Sequence, residues 1–342
     1  MARLLITGAS GLLGANLVLA ARDRHEVTAV CHRHPIVAEH VQVIMADLTR
    51  PSAADELLAD QRPTWVVHCA AAAEADRCEQ DPAWASLLNI EMAARVAAAC
   101  ERTGARLVHV STDAVFDGER GGYREDDLAR PVNAYGRTKL EGERAVLAAN
   151  PGAAVLRTNF FGWHAWGRHG LAEWFLARFE SSQAAPGFVD AFVAPLLAND
   201  LAELILAIAG LRLTGVYHIN ASECLSKYEF GRRLARLFGF EEALVEPVPV
   251  DEAGLIARRP RNLCLDCSRL RRDTGLTLPG VSEGLSRFRQ LRETGFVDEL
   301  KSMVADVLEA EVEDANDARN NPGSLYPPSQ RGRRNDEPKG RA

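Results

Sequence analysis

Arg3-Leu4-Leu5-Ile6-Thr7-Gly8-Ala9-Ser10-Gly11-Leu12-Leu13-Gly14 decides how this chain is read. Arg3 to Thr7 predict a short apolar strand. The strand runs into glycines spaced G-x-x-G-x-x-G, not the commoner G-x-G-x-x-G. Glycine lets a backbone come close to a pyrophosphate, and the helix that follows offers its positive N-terminal end. Gly8, Ser10, Gly11, Leu12 and Gly14 are therefore candidate dinucleotide contacts. A plain glycine-rich turn would share the spacing. The strand before, the helix after and the place at the chain start favour the nucleotide.

Outward from that turn, strands and helices alternate. Glu26 to Cys31 predict a second strand, followed by His32-Arg33-His34. An acidic residue at this point would suit the ribose 2′-hydroxyl of NAD, whereas a basic one accommodates a 2′-phosphate, so Arg33 points to NADPH and leaves NADH as the alternative. Val41 to Met45 predict a third strand, followed by Asp47-Leu48. Asp47 could meet an adenine edge or cap a helix that begins near Pro51. Trp65 to Cys69 predict a fourth strand, continued by Ala70, Ala71 and Ala72, whose small side chains let a flat cofactor lie close. Pro82 to Arg102 have helical periodicity, ended by Gly104. Asn89 stands out inside that helix, either exposed or bound to backbone or water near the cofactor. Arg106 to Ser111 and Ala153 to Arg157 predict the fifth and sixth strands. Residues 1–157 thus read as an α/β, doubly wound parallel sheet of the Rossmann type, with ligands at the carboxyl ends of its strands.

The fifth strand leads into Ser111-Thr112-Asp113, a polar loop, and then Tyr135-Gly136-Arg137-Thr138-Lys139. On a helix, Tyr135 and Lys139 share a face about one turn apart. A cation beside a phenol favours the phenolate, and a hydroxyl from Thr112 could complete the hydrogen bonds to a reacting carbonyl. That set delivers a proton during carbonyl reduction. Alone, Y-x-x-x-K is an ordinary surface pair; the glycine turn upstream gives it weight.

From Thr158 the pattern loosens. Asn159 to Trp166 form an aromatic loop, either a substrate wall or a satellite core. Leu171–Glu180, Leu196–Ala209 and Ser226–Phe238, the last capped by Ser226, read as helices, and Gly215–Ile219 as a strand. Arg258-Arg259-Pro260-Arg261-Asn262 could contact a pyrophosphate. Residues 158–312 are expected to form a smaller substrate-binding lobe interleaved with the core, ending in an acidic helix from Phe296 to about Val312. Residues 313–342 lack apolar content and are expected to be a disordered tail.

Composition narrows the class. Of 342 residues, 47% are hydrophobic and the net charge is −7, which suits a buried globular core and gives no footprint for nucleic acid or an anionic membrane. No stretch is long and apolar enough to span a bilayer. The seven cysteines are scattered and odd in number. No disulfide framework is expected, a reducing cytoplasmic compartment fits, and the lone Cys264-x-x-Cys267 lacks the further ligands a metal site needs.

Taken in order, these segments resemble the dTDP-4-dehydrorhamnose reductase family of the extended short-chain dehydrogenase/reductases. The resemblance rests on the glycine turn, Cys69-Ala70-Ala71-Ala72, Glu79-Gln80-Asp81-Pro82 before Leu87-Leu88-Asn89, Ser111 to Gly118, Pro131 to Lys139, Arg157-Thr158 and Arg259 to Asn262. It implies catalytic Thr112, Tyr135 and Lys139, with Lys139 also on the ribose and lowering the tyrosine pKa. It implies cofactor contacts at the glycine turn, Asp47-Leu48 and Ala70 to Ala72, and substrate contacts at Thr112, Asp113, Phe160 and Arg261. The implied substrate is a nucleotide-linked 4-keto-6-deoxy sugar, and a homodimer is an open expectation. Two positions depart from the family: Ala114 replaces a usual Tyr and Phe160 a usual Trp, so the catalytic expectation is firmer than the substrate one. Tyr123 to Asp127, with Arg259 to Asn262 and Leu265 to Ser268, are also similar to the regulatory beta subunits of methionine adenosyltransferase. That likeness implies a cofactor-binding regulatory protein instead.

Overall fold

Leu4, Leu5 and Ile6 are each at most 1% exposed, as expected of a parallel strand covered on both faces. This is β1 (Arg3–Thr7) of a computed structural model that describes residues 1–167 and 170–304. The first half continues with α1 (Leu12–Ala21), β2 (Glu26–Cys31), β3 (Val41–Met45), α2 (Ala53–Gln61), β4 (Trp65–His68), α3 (Ala75–Gln80) and α4 (Pro82–Ser86). A π-helical turn (Leu87–Met92) leads to α5 (Ala93–Thr103), β5 (Arg106–Thr112), α6 (Ala134–Ala149) and β6 (Ala154–Thr158). The second half contains β7 (Phe160–Phe161), α7 (Leu171–Glu180), β8 (Ala185–Phe188), β9 (Phe192–Val193), β10 (Leu196–Leu197), α8 (Ala198–Gly210) and β11 (Gly215–Ile219). It ends with β12 (Leu225–Ser226), α9 (Lys227–Phe238), β13 (Val245–Val248), α10 (Ser268–Thr274) and α11 (Val281–Glu293). Residues 296–304 are helical, and the rest of the acidic helix and the expected tail lie outside the described residues.

Among the described residues, seven strands form one sheet in the order β11-β6-β5-β4-β1-β2-β3. All pairs are parallel, with Leu4 opposite Val27 on one side and Trp65 on the other. The order reverses between β1 and β4, so their carboxyl ends open a crevice there. The second half does not stand apart from this sheet: β11 pairs in parallel with β6, and α8 packs on α1. Three two-stranded ribbons, β7 with β10, β9 with β12 and β8 with β13, occupy the remainder of the second half. Phe161, Phe175, Phe230 and Phe288 are fully buried in the larger core, each worth about 1.5–3 kcal/mol of burial.

Two expectations need correction. The helix expected from Pro82 to Arg102 is broken by the π-helical turn at Leu87–Met92. The extra residue turns Asn89 inward, so the 3.6-residue period is interrupted where a polar side chain is needed inside. The cysteines are not all unpaired: Cys224 and Cys264 form a disulfide across 40 residues, with Cα atoms 5.9 Å apart. Spacing could not reveal it, because the loop before β12 and the strap before α10 meet only in the fold. Cys267, the other half of the C-x-x-C, is a buried free thiol.

Candidate active site

Two adjoining cavities lie at the carboxyl ends of the strands. The first, about 260 Å³, runs along the glycine turn and is lined by Gly8, Ser10, Gly11, Arg33, Asp47, Leu48, Ala70 and Ala71, among others. The second, about 280 Å³, is lined by Thr112, Asp113, Tyr135, Phe160, Lys227 and Arg259, with Ala114 and Leu263 also in its wall. A wider depression of about 740 Å³ opens at the opposite end of the sheet, around Arg3, Arg62 and Arg106. The C-termini of α2 and α5 border it, and it holds none of the predicted chemistry.

The glycine spacing has a direct steric cause. Gly8 adopts φ +65°, and a Cβ there would stand 2.7 Å from the backbone nitrogen of Ala70. A Cβ on Gly14 would lie 2.2 Å from the carbonyl oxygen of Gly8. The first glycine lets β1 and β4 converge at the crevice, and the third seats α1 on the turn. Gly11 is the N-cap of α1 and supplies no side chain to its amides, so that positive helix end is left for a ligand. The residues present therefore fit a dinucleotide cofactor.

The remaining cleft residues take distinct places. Arg33 is exposed at the rim, beside His32 and His34. Asp47 does not cap α2, whose N-cap is Ser52. Instead its Oδ1 accepts from the amide of Thr49 at 3.0 Å and from its hydroxyl at 2.6 Å, closing a local turn that sets the cleft edge. Asn89 does not line the cleft. It is 1% exposed, accepts from the amide of Ala72 at 2.9 Å, and donates to the Ala72 carbonyl at 3.1 Å and the Thr138 hydroxyl at 3.0 Å. Asn89 therefore braces the small-residue wall against the Tyr135 helix rather than contacting a ligand.

In the second cavity, Thr112 ends β5 and its hydroxyl accepts from the amide of Ala114 at 3.1 Å. Asn133 caps α6 by accepting from the amide of Gly136 at 2.8 Å, and it donates to the carbonyl of Arg258 at 2.8 Å. That cap ties the start of the helix to the strap before α10. The Tyr135 hydroxyl is hydrogen-bonded to Thr112, yet burial dominates and pushes the phenol up to about 12. Lys139 is 2% exposed and donates to the carbonyl of Val110 at 2.8 Å. Burial lowers its ammonium to about 8. The expected lowering of the tyrosine by the lysine does not appear: burial governs the phenol, the Thr112 hydrogen bond opposes it, and the phenol stays protonated at neutral pH.

Asp113 is buried, accepts from Asn159 Nδ2 at 2.9 Å, and is raised by burial to about 6. The aromatic loop is divided: Phe160 faces the cavity, Phe161 is core, and Trp163 stacks on Phe288 with ring centroids 4.1 Å apart. Arg261 stands apart from the cavity, paired with Asp251 at 2.5 Å and Asp190 at 3.6 Å. Its neighbour Arg259 lines the wall instead, paired with Asp76 at 3.0 Å. Lys227, which sequence reasoning missed, brings a second cation into the same cavity; burial and then Arg259 lower its pKa. Its position at the start of α9 carries no local signal, because β12 and β9 alone deliver it there.

Tyr123–Asp127 and Leu265–Ser268 prove to be one unit. Tyr123 bridges Leu265, the amide of Asp266 donates to the carbonyl of Tyr123 at 2.8 Å, and Arg124 pairs with Asp266 at 3.3 Å. The unit anchors the strap that carries Arg259, Pro260 and Leu263 into the cavity wall.

A doubly wound sheet with a glycine turn at its switch point and Thr112, Tyr135 and Lys139 at the end of β5 and on α6 defines an extended short-chain dehydrogenase/reductase, a class of NAD(P)-dependent oxidoreductases. The RmlD substrate binding domain family matches residues 2–292, and the chain belongs to that family. It is 34% identical over 281 residues to dTDP-4-keto-6-deoxy-D-glucose reductase of Streptomyces niveus, covering 80% of this chain and 92% of that one. It is also 34% identical over 286 residues to methionine adenosyltransferase 2 subunit beta of Bos taurus, covering 78% and 81%. Among solved structures, dTDP-4-dehydrorhamnose reductase from Bacillus anthracis in complex with NADP aligns with a TM-score of 0.75 at 27% identity, over 84% of this chain and 99% of that one. No helix of the described residues is long and apolar enough to cross a membrane.

Proposed function

We propose that this protein reduces the 4-keto group of a nucleotide-linked deoxysugar, using NADPH. The observation that carries the reading is one cavity joining the Thr112–Tyr135 pair to two cations, Lys227 and Arg259, next to the glycine-turn cleft. The cations suit the diphosphate of a nucleotide sugar. Gly8, Ser10, Gly11, Leu12 and Gly14 would hold the cofactor pyrophosphate, Leu48, Ala70 and Ala71 its flat parts, Lys139 a ribose, and Arg33 the 2′-phosphate. The reduced nicotinamide, when bound, supplies the hydride that adds to the carbonyl carbon. Thr112 orients the carbonyl oxygen, and Tyr135 transfers its proton to that oxygen, giving the alcohol. The proposed location is the cytoplasm, which the five free thiols support and the Cys224–Cys264 disulfide opposes, and the proposed assembly is a homodimer.

The likeness to methionine adenosyltransferase 2 subunit beta supports a second reading, a cofactor-binding regulatory subunit. The two separate in one experiment, a screen of nucleotide 4-ketosugars with NADPH followed at the nicotinamide absorbance. The enzyme reading expects turnover with at least one sugar, and Tyr135→Phe to lower it about 10²–10⁴-fold with cofactor affinity unchanged. A wild type that binds NADPH but oxidises it with no sugar supports the regulatory reading. Full turnover in Tyr135→Phe defeats the proposed mechanism.

A further inference from the structure

Behind the Tyr135–Lys139 face lies a buried polar network that the proposed reaction does not use. Glu143 is one turn beyond Lys139 on α6 and is 2% exposed. Arg157 donates to its carboxylate through Nε at 3.0 and 3.1 Å and through Nη2 at 2.7 Å. The Ser111 hydroxyl donates to the same carboxylate. His218 Nε2 lies 3.4 Å from the far side of the Arg157 guanidinium. The network therefore joins β5, α6, β6 and β11, and its members Ser111 and Arg157 immediately precede Thr112 and Thr158 in the cavity wall.

A buried ion pair is a costly way to hold elements together, since apolar side chains of similar volume do so as well or better. The reason for a carboxylate here lies in what else its charge reaches. Lys139 is a buried ammonium whose hydrogen-bond acceptor is a neutral carbonyl, that of Val110. The groups around it are neutral as well. His68 on β4 and His109 on β5 stack with ring centroids 5.4 Å apart, and burial, aided by the lysine charge, keeps both unprotonated. Burial pushes the Cys69 thiol up to about 12, and Tyr135 is a neutral phenol. Glu143 is the carboxylate whose charge offsets this surrounding, and the bidentate contact with Arg157 fixes where that charge sits.

We propose that Glu143, clamped by Arg157 and Ser111, is a positioning residue that keeps the Lys139 ammonium charged and directed at β5 while it fixes the strand end bearing Thr112. The proposal rests on the reading above that Lys139 serves the cofactor and Tyr135. Lys139 loses its charge as pH rises through about 8, and Glu143 opposes that loss. Without the carboxylate the loss occurs at lower pH.

Glu143→Gln alone would strand Arg157 in the interior, so the decisive variant is Glu143→Leu with Arg157→Met, which removes both charges at similar volume. NADPH affinity by calorimetric titration and turnover are measured from pH 6 to 9. In the double variant the alkaline fall of both is expected to move down by about one unit or more. NADPH affinity near pH 8 then drops about fivefold or more at an unchanged melting temperature. A folded double variant with the wild-type pH profile overturns the proposal, because a mere brace alters stability and not titration. If the double variant does not fold, Ser111→Ala decides: it keeps the ion pair, and a smaller shift in the same direction is expected, whereas no shift overturns the proposal. Tyr135→Phe in the same turnover assay separates the failures. Full turnover there defeats the underlying reading, while lost turnover with an unmoved profile in the double variant defeats this proposal alone.

Discussion

Asn89→Ala tests whether the wall of the cofactor cleft is held from behind. The side chain makes three hydrogen bonds, two of them to the backbone of Ala72, a residue that is fully buried. Truncation leaves the Ala72 amide, the Ala72 carbonyl and the Thr138 hydroxyl short of partners. A buried polar group deprived of its partner costs about 1–3 kcal/mol. Thr138 retains the carbonyls of Ala134 and Tyr135, and the Ala72 carbonyl retains the weak Cys78 thiol donor at 3.6 Å, so the Ala72 amide carries a full penalty and the carbonyl part of one. A loss of about 2–4 kcal/mol in unfolding free energy is expected, with the upper range reduced if water enters the vacated space. The cleft should respond too. Freeing one residue of the Ala70–Ala72 segment costs about 1–2 kcal/mol to re-order on binding, so the NADPH dissociation constant should rise about 5–30-fold. Urea denaturation and calorimetric titration read the two effects. A variant within about 0.5 kcal/mol of wild type that binds NADPH normally would refute the bracing role, since surface substitutions behave that way.

Two further outcomes are expected. Arg33→Ala should weaken NADPH by about 1.5–3 kcal/mol, the worth of a hydrogen bond to a charged group, and leave NADH affinity unchanged; equal losses for both would place Arg33 outside the 2′-phosphate site. Asp113 is raised to about 6 from an ordinary carboxylate value, so the folded state holds its proton more tightly. Its contribution is therefore most favourable below about pH 4 and falls away as pH rises toward 6 and beyond. Asp113→Asn should gain stability relative to wild type at pH 8 and lose that gain at pH 4, measured by denaturant titration at both; a gain independent of pH would contradict the shift.

The parts of the fold legible in the sequence were those written in local pattern. β1, β2, β3 and β11 begin and end where the apolar runs do; β1 and β2 are covered on both faces and so are largely apolar throughout, while the edge strands β3 and β11 are only partly buried. Gly104 stops α5 with φ +71°, and Ser226 caps α9 by accepting from the amide of Glu229 at 3.1 Å; both signals reside in one or two residues. What escaped was set by partners distant in the chain. Asn89 reads as either exposed or bound to backbone or water near the cofactor, but nothing near it in the chain shows that its partner is the backbone of Ala72. Cys224 and Cys264 meet only once β12 and the strap are placed.

The same distinction explains the substrate cavity. Arg259 and Arg261 are two residues apart in a run that reads as one basic cluster, yet the irregular loop around Pro260 gives them different surroundings. Asp190 and Asp251 draw Arg261 outward, while Asp76 holds Arg259 at the cavity wall. Charge alone cannot choose between them; the acids that neutralise each can, and those acids come from α3, from the loop before β9 and from the turn after β13. Thr112, Tyr135 and Lys139 needed no such information, because one strand end and one helical turn bring them together. The proposed substrate contacts, by contrast, are Ala114, Phe160, Lys227 and Arg259, which line one cavity but come from four separate segments. The reaction class is thus encoded locally and the substrate in tertiary structure, so changes at Ala114 or Phe160 should alter which sugar is accepted before they alter proton transfer.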